Sequence, residues 1–244
     1  MNRLLLLTDT PGTGDWNMAV DEWLLQTARD RSSPVLRFYR WTEPTLSLGY
    51  FQHHADRIQH ASSLSCPFVR RASGGGAIIH DQELTYSLTL PVNDRFSSAA
   101  LDHYYDLHRS LIEALREWSI TATLVAPGQR DNAAFLCFQR RSPGDVVIAD
   151  AKIAGSAQRR SAGSILQHGS VLVATSNAAP ELPGIKQTAS CSVDPEDLMC
   201  CWRARLLSRW NMTAHDMEIN SRDVTTIKHL VDQRFAVNTW NERR

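Results

Sequence analysis

Between Glu83 and Leu90 the residues alternate in character, with Leu84, Tyr86, Leu88 and Leu90 apolar and Thr85, Ser87 and Thr89 polar. Successive side chains of a strand point to opposite faces of its sheet, so this run predicts a strand with one buried face. Such a strand needs neighbours for its backbone hydrogen bonds and a layer laid over its apolar side. From 99 to 118, Leu101, Tyr104, His108, Leu111, Leu115 and Trp118 share one helical face, with Glu113, Arg116 and Glu117 off it.

The neighbouring strands can be found on both sides of this pair. Residues 3–8 predict a buried strand; after Pro11, Gly12 and Gly14, the positions Trp16, Val20, Trp23, Leu24 and Thr27 recur at helical spacing. Segments 35–41 and 45–51, separated by Pro44, are rich in β-formers, and a polar helical stretch near 54–64 leads to a further strand at 68–72. Runs at 145–149, 152–158 and 164–173, with Asp150 and Gly163 near the turns, predict an antiparallel meander. After a loop at 174–192, two helices are expected, at about 195–210 behind Pro195 and at about 221–235 with Ser221 as N-cap. Strands interleaved with helices, without strict βα alternation, predict an α+β fold: a mixed, largely antiparallel sheet with helices packed mainly on one face. Residues 1–244 are expected to form a single domain ending in a short helical segment from about 193.

Bulk properties narrow the function classes. The 26 basic and 26 acidic side chains cancel, so no global field recruits nucleic acid. The four leucines that follow Arg3 are too few for a signal-peptide core or a membrane span, which predicts a soluble cytoplasmic protein with no membrane partner. Cys66, Cys137, Cys191, Cys200 and Cys201 are an odd set without C-x-x-C spacing, against both a disulfide framework and a structural zinc site, so no metal ligands are expected.

Three constellations carry candidate chemistry. In Arg70-Arg71-Ala72-Ser73-Gly74-Gly75-Gly76 a strand end runs into three glycines, whose missing side chains let backbone N–H groups approach a ligand oxygen while Arg70 and Arg71 add charge. Taken alone, the glycines fit a hairpin turn equally well. Lys152 starts a strand, where a lysine is ordinarily a solvated end residue; beside a pocket its ammonium polarises a carbonyl, or desolvation makes it a base. Cys137 lies in a loop-like segment, 126–144, and a lone cysteine is ordinarily a small buried hydrophobe. His80 and His168 read as satisfied structural histidines that border a pocket, not as acids or bases.

Taken together, these segments resemble the lipoate and biotin protein ligase superfamily. The resemblance rests on 70–87, which continues through Ala77-Ile78-Ile79-His80-Asp81 to the Tyr86 strand, and on Lys152-Ile153-Ala154-Gly155-Ser156-Ala157-Gln158-Arg159 with Gln167-His168-Gly169-Ser170. It extends from the Asn17–Glu22 helix through Arg37-Phe38-Tyr39 and Ser47–Gln52 to Trp240-Asn241. It implies an acyl pocket walled by Arg70, Arg71, Ser73, Gly74, Gly75, Gly76, His80, Gly155, Ser156, Ala157, Gln158, His168 and Gly169. Cys137-Phe138, fifteen positions before Lys152, is similar to the Cys-Phe of the cysteine-dependent octanoyltransferases, which implies Cys137 as nucleophile and Lys152 as its catalytic partner. The next residues, Gln139-Arg140-Arg141-Ser142-Pro143-Gly144-Asp145, depart from that family's Pro-Ser-x-Tyr-Glu wording.

The implied reaction moves octanoate from octanoyl-acyl carrier protein, through a thioester on Cys137, to a lysine of a lipoyl domain or glycine-cleavage H protein. A free thiol titrates near 8.5, so Lys152, Arg70 and Arg71 are the available cations to raise its thiolate fraction. Backbone N–H groups of the glycine segment or of Gly155-Ser156 would serve an oxyanion, donors typically worth roughly 3–4 kcal/mol. No cofactor is implied and a monomer is expected. Two alternatives stay open: an ATP-dependent lipoate-protein ligase, which would use ATP, Mg2+ and Lys152 without a cysteine, and a non-catalytic binding protein.

Overall fold

The computed structural model describes residues 2–92, 100–128, 134–161 and 163–243. In chain order the elements are β1 (Arg3–Thr8), α1 (Gly14–Arg31), β2 (Val35–Tyr39), β3 (Thr45–Leu48), β4 (Phe68–Arg70), β5 (Ile78–His80), β6 (Glu83–Pro91), α2 (Ala100–Leu115), β7 (Thr123–Leu124) and β8 (Val146–Ile148). They continue with β9 (Ala151–Ser161), β10 (Ser164–Leu172), α3 (Ile185–Thr188), α4 (Pro195–Trp210), β11 (Thr213–Asp216), α5 (Ser221–Leu230) and α6 (Asn238–Asn241). The first residue of the expected 99–118 helix, part of the 126–144 segment and the Leu101 side chain lie outside the described residues.

An eight-stranded sheet runs in the order β11-β1-β2-β6-β10-β9-β8-β7. Only the β11/β1 and β1/β2 pairs are parallel; from β2 onward every pair is antiparallel, so the sheet is mixed and largely antiparallel as expected. The β8-β9-β10 meander forms, with β9 reaching Ser161. A smaller sheet, β4-β3-β5, lies beside it.

Burial corrects the reading of 83–90. Every residue of β6 is buried, the polar ones included: Thr85 is 2% and Ser87 and Thr89 are 0% exposed. Leu84, Tyr86, Leu88 and Leu90 pack in one cluster with Leu107, Leu111 and Leu115 of α2 and Leu198, Trp202 and Leu206 of α4. Side chains of this size are worth roughly 1.5–3 kcal/mol each when fully buried. The opposite face is covered by α1, whose Met18, Ala19, Val20, Trp23 and Leu24 pack with Val35 and Tyr39 of β2 and with Ile227 of α5. Helical cover therefore extends to both faces, and the polar stripe of β6 faces α1 instead of water. Alternation in sequence reports two chemically different faces and does not reveal what lies over the polar one.

The helix ends follow local chemistry. The Asp194 side chain accepts from the Glu196 and Asp197 N–H groups, with Pro195 first in α4, and Asn211 closes that helix in the left-handed conformation. The α5 cap is Asn220, one residue before the expected Ser221. Strand β11 had no sequence signal, because Thr213–Asp216 is short and exposed and is held chiefly by its parallel pairing with β1. No helix among the described residues is long and apolar enough to cross a membrane.

Candidate active site

A cleft opens between the glycine segment, the Cys137 turn and strands β9 and β10, and it reaches inward to Met18 and Tyr39. Arg71, Gly74, Gly75, His80, Cys137, Gly155, Ser156, Ala157, His168 and Gly169 line it. Of the remaining expected pocket residues, Ser73 stands behind His168, Gly76 lies under Cys137 and Gln158 pairs with Gln167.

Arg70 is the clear correction. Its guanidinium turns away from the cleft to the carbonyls of Gly49 (2.9 Å), Gln52 (2.7 Å) and Asn241 (3.0 Å), where it ties the small sheet to the C-terminal segment. Neighbouring residues of an extended chain point to opposite sides, so adjacent arginines rarely share a pocket. Arg71 takes the inward side. It donates to Ser47 O (2.9 Å), Gly74 O (2.8 Å) and Gly76 O (2.6 Å), so its charge organises the carbonyls of the glycine loop. Burial pushes its guanidinium down to about 10, opposed by its attraction to Cys137, and it stays a cation at neutral pH.

Cys137 opens a 3-10 turn anchored by its apolar neighbours: Phe135, Leu136 and Phe138 are buried in one cluster with Leu46, Leu48 and Ile79. Two backbone bonds, Ala77 N to Phe135 O (3.0 Å) and Cys137 N to Ala77 O (2.7 Å), stitch this turn to the glycine segment. Gly76 makes that approach feasible, since a Cβ there would stand 3.0 Å from the Cys137 nitrogen and the Phe135 oxygen.

Lys152 is not a solvated end residue. It is 6% exposed, and its Nζ lies 3.6 Å from Cys137 Sγ, 3.2 Å from Cys137 O, 2.8 Å from Asp145 Oδ2 and 5.3 Å from the centre of the Phe138 ring. Gly155 provides the room, because a Cβ there would meet Lys152 Cε at 2.5 Å and Nζ at 2.8 Å.

The two histidines are held from behind. His168 pairs Nδ1 with Asp21 Oδ2 (3.0 Å) and Nε2 with Ser73 Oγ (2.5 Å); His80 pairs Nδ1 with Glu83 Oε1 (2.5 Å) and Nε2 with Ser47 Oγ (2.7 Å), its ring stacked on Trp41. Burial alone would raise the Asp21 carboxyl, yet the His168 hydrogen bond and the Arg37 charge, 2.9 Å away, hold it below the ordinary carboxylate range. Ser47 links the arrays, accepting from Arg71 while it bonds His80.

The sequence marks Asp145 only as the start of the 145–149 strand and His108 only as part of an apolar helical face, and it reveals the role of neither. His108 Nε2 bonds Ser156 Oγ (2.6 Å), which also bonds the Tyr86 hydroxyl, and its Nδ1 donates to Gly144 O (2.6 Å). Burial pushes this imidazole down to about 4, against the pull of the Gly144 bond, so the ring is neutral at pH 7. A histidine on the apolar stripe of α2, and an acid seven residues before Lys152, were the available signals. The five cysteines are unpaired, and among the described residues no group of three His, Cys, Asp or Glu side chains could hold a metal ion.

Octanoyltransferase LipM of Brevibacillus brevis is 36% identical over 93% of this chain and 94% of its own length. Octanoyltransferase LipM of Carboxydothermus hydrogenoformans is 36% identical over 66% of this chain, a match spanning only 61% of that relative's length. A Thermoplasma acidophilum protein solved with bound lipoic acid superposes with a TM-score of 0.80 over 99% of both chains at 21% identity, a likeness of fold. Residues 14–196 match the lipoyl protein ligase A/B catalytic domain, and the chain belongs to that family.

Proposed function

We propose that this protein is an octanoyltransferase of lipoate biosynthesis that works through a thioester on Cys137. The observation that carries the reading is the Lys152 ammonium, buried 3.6 Å from the Cys137 sulfur at the wall of a cleft reaching to Met18 and Tyr39. The octanoyltransferase names of the relatives support the same chemistry.

In the first half-reaction the Cys137 thiolate attacks the thioester carbonyl of octanoyl-acyl carrier protein. A new C–S bond forms, the donor's C–S bond breaks, and the carrier leaves as a thiolate that takes up a proton. In the second, the neutral amine of a lysine on a lipoyl domain or glycine-cleavage H protein attacks octanoyl-Cys137. The C–N bond forms, the C–S bond breaks, and the amine loses a proton to solvent as the thiolate returns. One thioester replaces another in the first step, so no ATP is required. Lys152 sets positive charge where the attacking sulfur and then the carbonyl oxygen carry negative charge, while Arg71 keeps the glycine segment in shape and His80 and His168 border the acyl chain. In this reading residues 1–244 act as one cytoplasmic, monomeric catalytic unit that docks its two protein substrates in turn.

Intact-mass measurement tests it. Incubation with octanoyl-acyl carrier protein, without ATP, should give an octanoyl adduct removed by hydroxylamine and absent from Cys137→Ala. Lys152→Ala should fold but transfer about 10²–10³-fold more slowly, the loss expected of one electrostatic group at a reacting carbonyl. No adduct on the wild type, or an equal one on Cys137→Ala, overturns the transferase; lipoylation that requires ATP and survives Cys137→Ala identifies a ligase instead.

A further inference from the structure

We infer that Asp145 is a positioning residue for the Cys137 and Lys152 pair, its carboxylate holding the lysine head so that one N–H bears on the cysteine sulfur. An ammonium has three N–H donors and no lone pair. Around Lys152 Nζ stand three acceptors: Asp145 Oδ2 at 2.8 Å, Cys137 O at 3.2 Å and Cys137 Sγ at 3.6 Å. The count matches a charged lysine, and each partner occupies one direction. A lysine head on a flexible four-carbon stem has no geometry of its own, so its aim is set by whatever its other donors hold.

Asp145 is itself rigidly placed. It is 2% exposed, and its Oδ2 also accepts from the Ser142 N–H (2.8 Å) while its Oδ1 accepts from the Tyr104 hydroxyl (3.3 Å). The turn that carries it is fixed by His108, which donates to the carbonyl of Gly144. The carboxylate thus balances a buried charge and transmits the position of α2 to the sulfur. Without it, Lys152 keeps a buried charge with one donor unmatched and turns from the sulfur toward other acceptors.

The inference builds on the proposed role of Cys137, and its test separates the two. The rate at which iodoacetamide alkylates Cys137 at neutral pH, followed by peptide mass, requires no acyl substrate. Asp145→Asn should slow alkylation and acyl-adduct formation about tenfold or more, with the KM for the acyl donor unchanged, and Asp145→Glu should recover part of both rates. A folded Asp145→Asn protein that reacts at the wild-type rate, or a Glu variant no better than Asn, overturns the assignment. If Asp145→Asn does not fold, Tyr104→Phe decides: loss of one hydrogen bond to the carboxylate should slow alkylation about twofold, and an unchanged rate counts against positioning. Should the wild type form no octanoyl adduct while the alkylation pattern holds, the transferase reading fails and the positioning role stands.

Discussion

At the scale of single residues, the neutral imidazole of His108 has a measurable consequence. Its folded value of about 4 lies below the 6.5 of an unfolded histidine. The unfolded chain therefore binds the proton first; the contribution of this group is complete above pH 6.5 and is lost as the pH drops toward 4, roughly 3 kcal/mol in all. His103, lowered chiefly by burial, adds in the same sense. Urea denaturation between pH 7 and 4 should show this slope, flattened but not abolished in His108→Gln. The same residue shows how much of the site was legible. Cys137, Lys152 and the glycine run stood out because their residue types sit in a recognisable order. Asp145, His108, Asp21 and Glu83 did not, since each is ordinary in its own segment and acquires meaning only from a partner 3 to 147 positions away.

At the scale of elements, periodicity read most of the strands and helices correctly, because a buried stripe is written into sequence wherever packing is regular. It failed where an element is held by something other than its own pattern. Strand β11 depends on β1, β5 pairs with β3 at the end of the glycine segment, and β7 contributes only two residues. Caps belong to this scale too. Replacing Asp194 by Ala removes the acceptor for two N–H groups at the start of α4, and should cost about 1 kcal/mol in urea denaturation. Acyl transfer should stay at the wild-type rate, because the Asp194 cap is exposed and does not line the cleft.

At the scale of the whole molecule, the last third of the chain folds back on the first: β11 on β1 and the Asn238–Asn241 helix on β4. Strand β11 extends the large sheet beyond β1, and Asn241 accepts from the Arg70 backbone N–H (2.8 Å) while its carbonyl and that of Trp240 receive the Arg70 guanidinium. Deleting 238–244 removes the acceptors of the Arg70 Nε and one terminal nitrogen and should lower stability by about 1–3 kcal/mol, seen as a lower denaturation midpoint in urea. A truncated protein as stable as the full chain would show that Arg70 finds other partners.

The stitch between Ala77 and the Cys137 turn bears on how such a protein can change over time. Because the backbone of Cys137 is bonded to the glycine segment, the sulfur takes its position from the small sheet and from the buried Phe135, Leu136 and Phe138. Residues 139–143 lie beyond that fastening, exposed or half-buried. Mutational drift can accumulate there at little expense to the chemistry, so long as the turn still delivers Asp145. The outer loop is thus where the sequence can vary while the sulfur and the lysine head stay where they are.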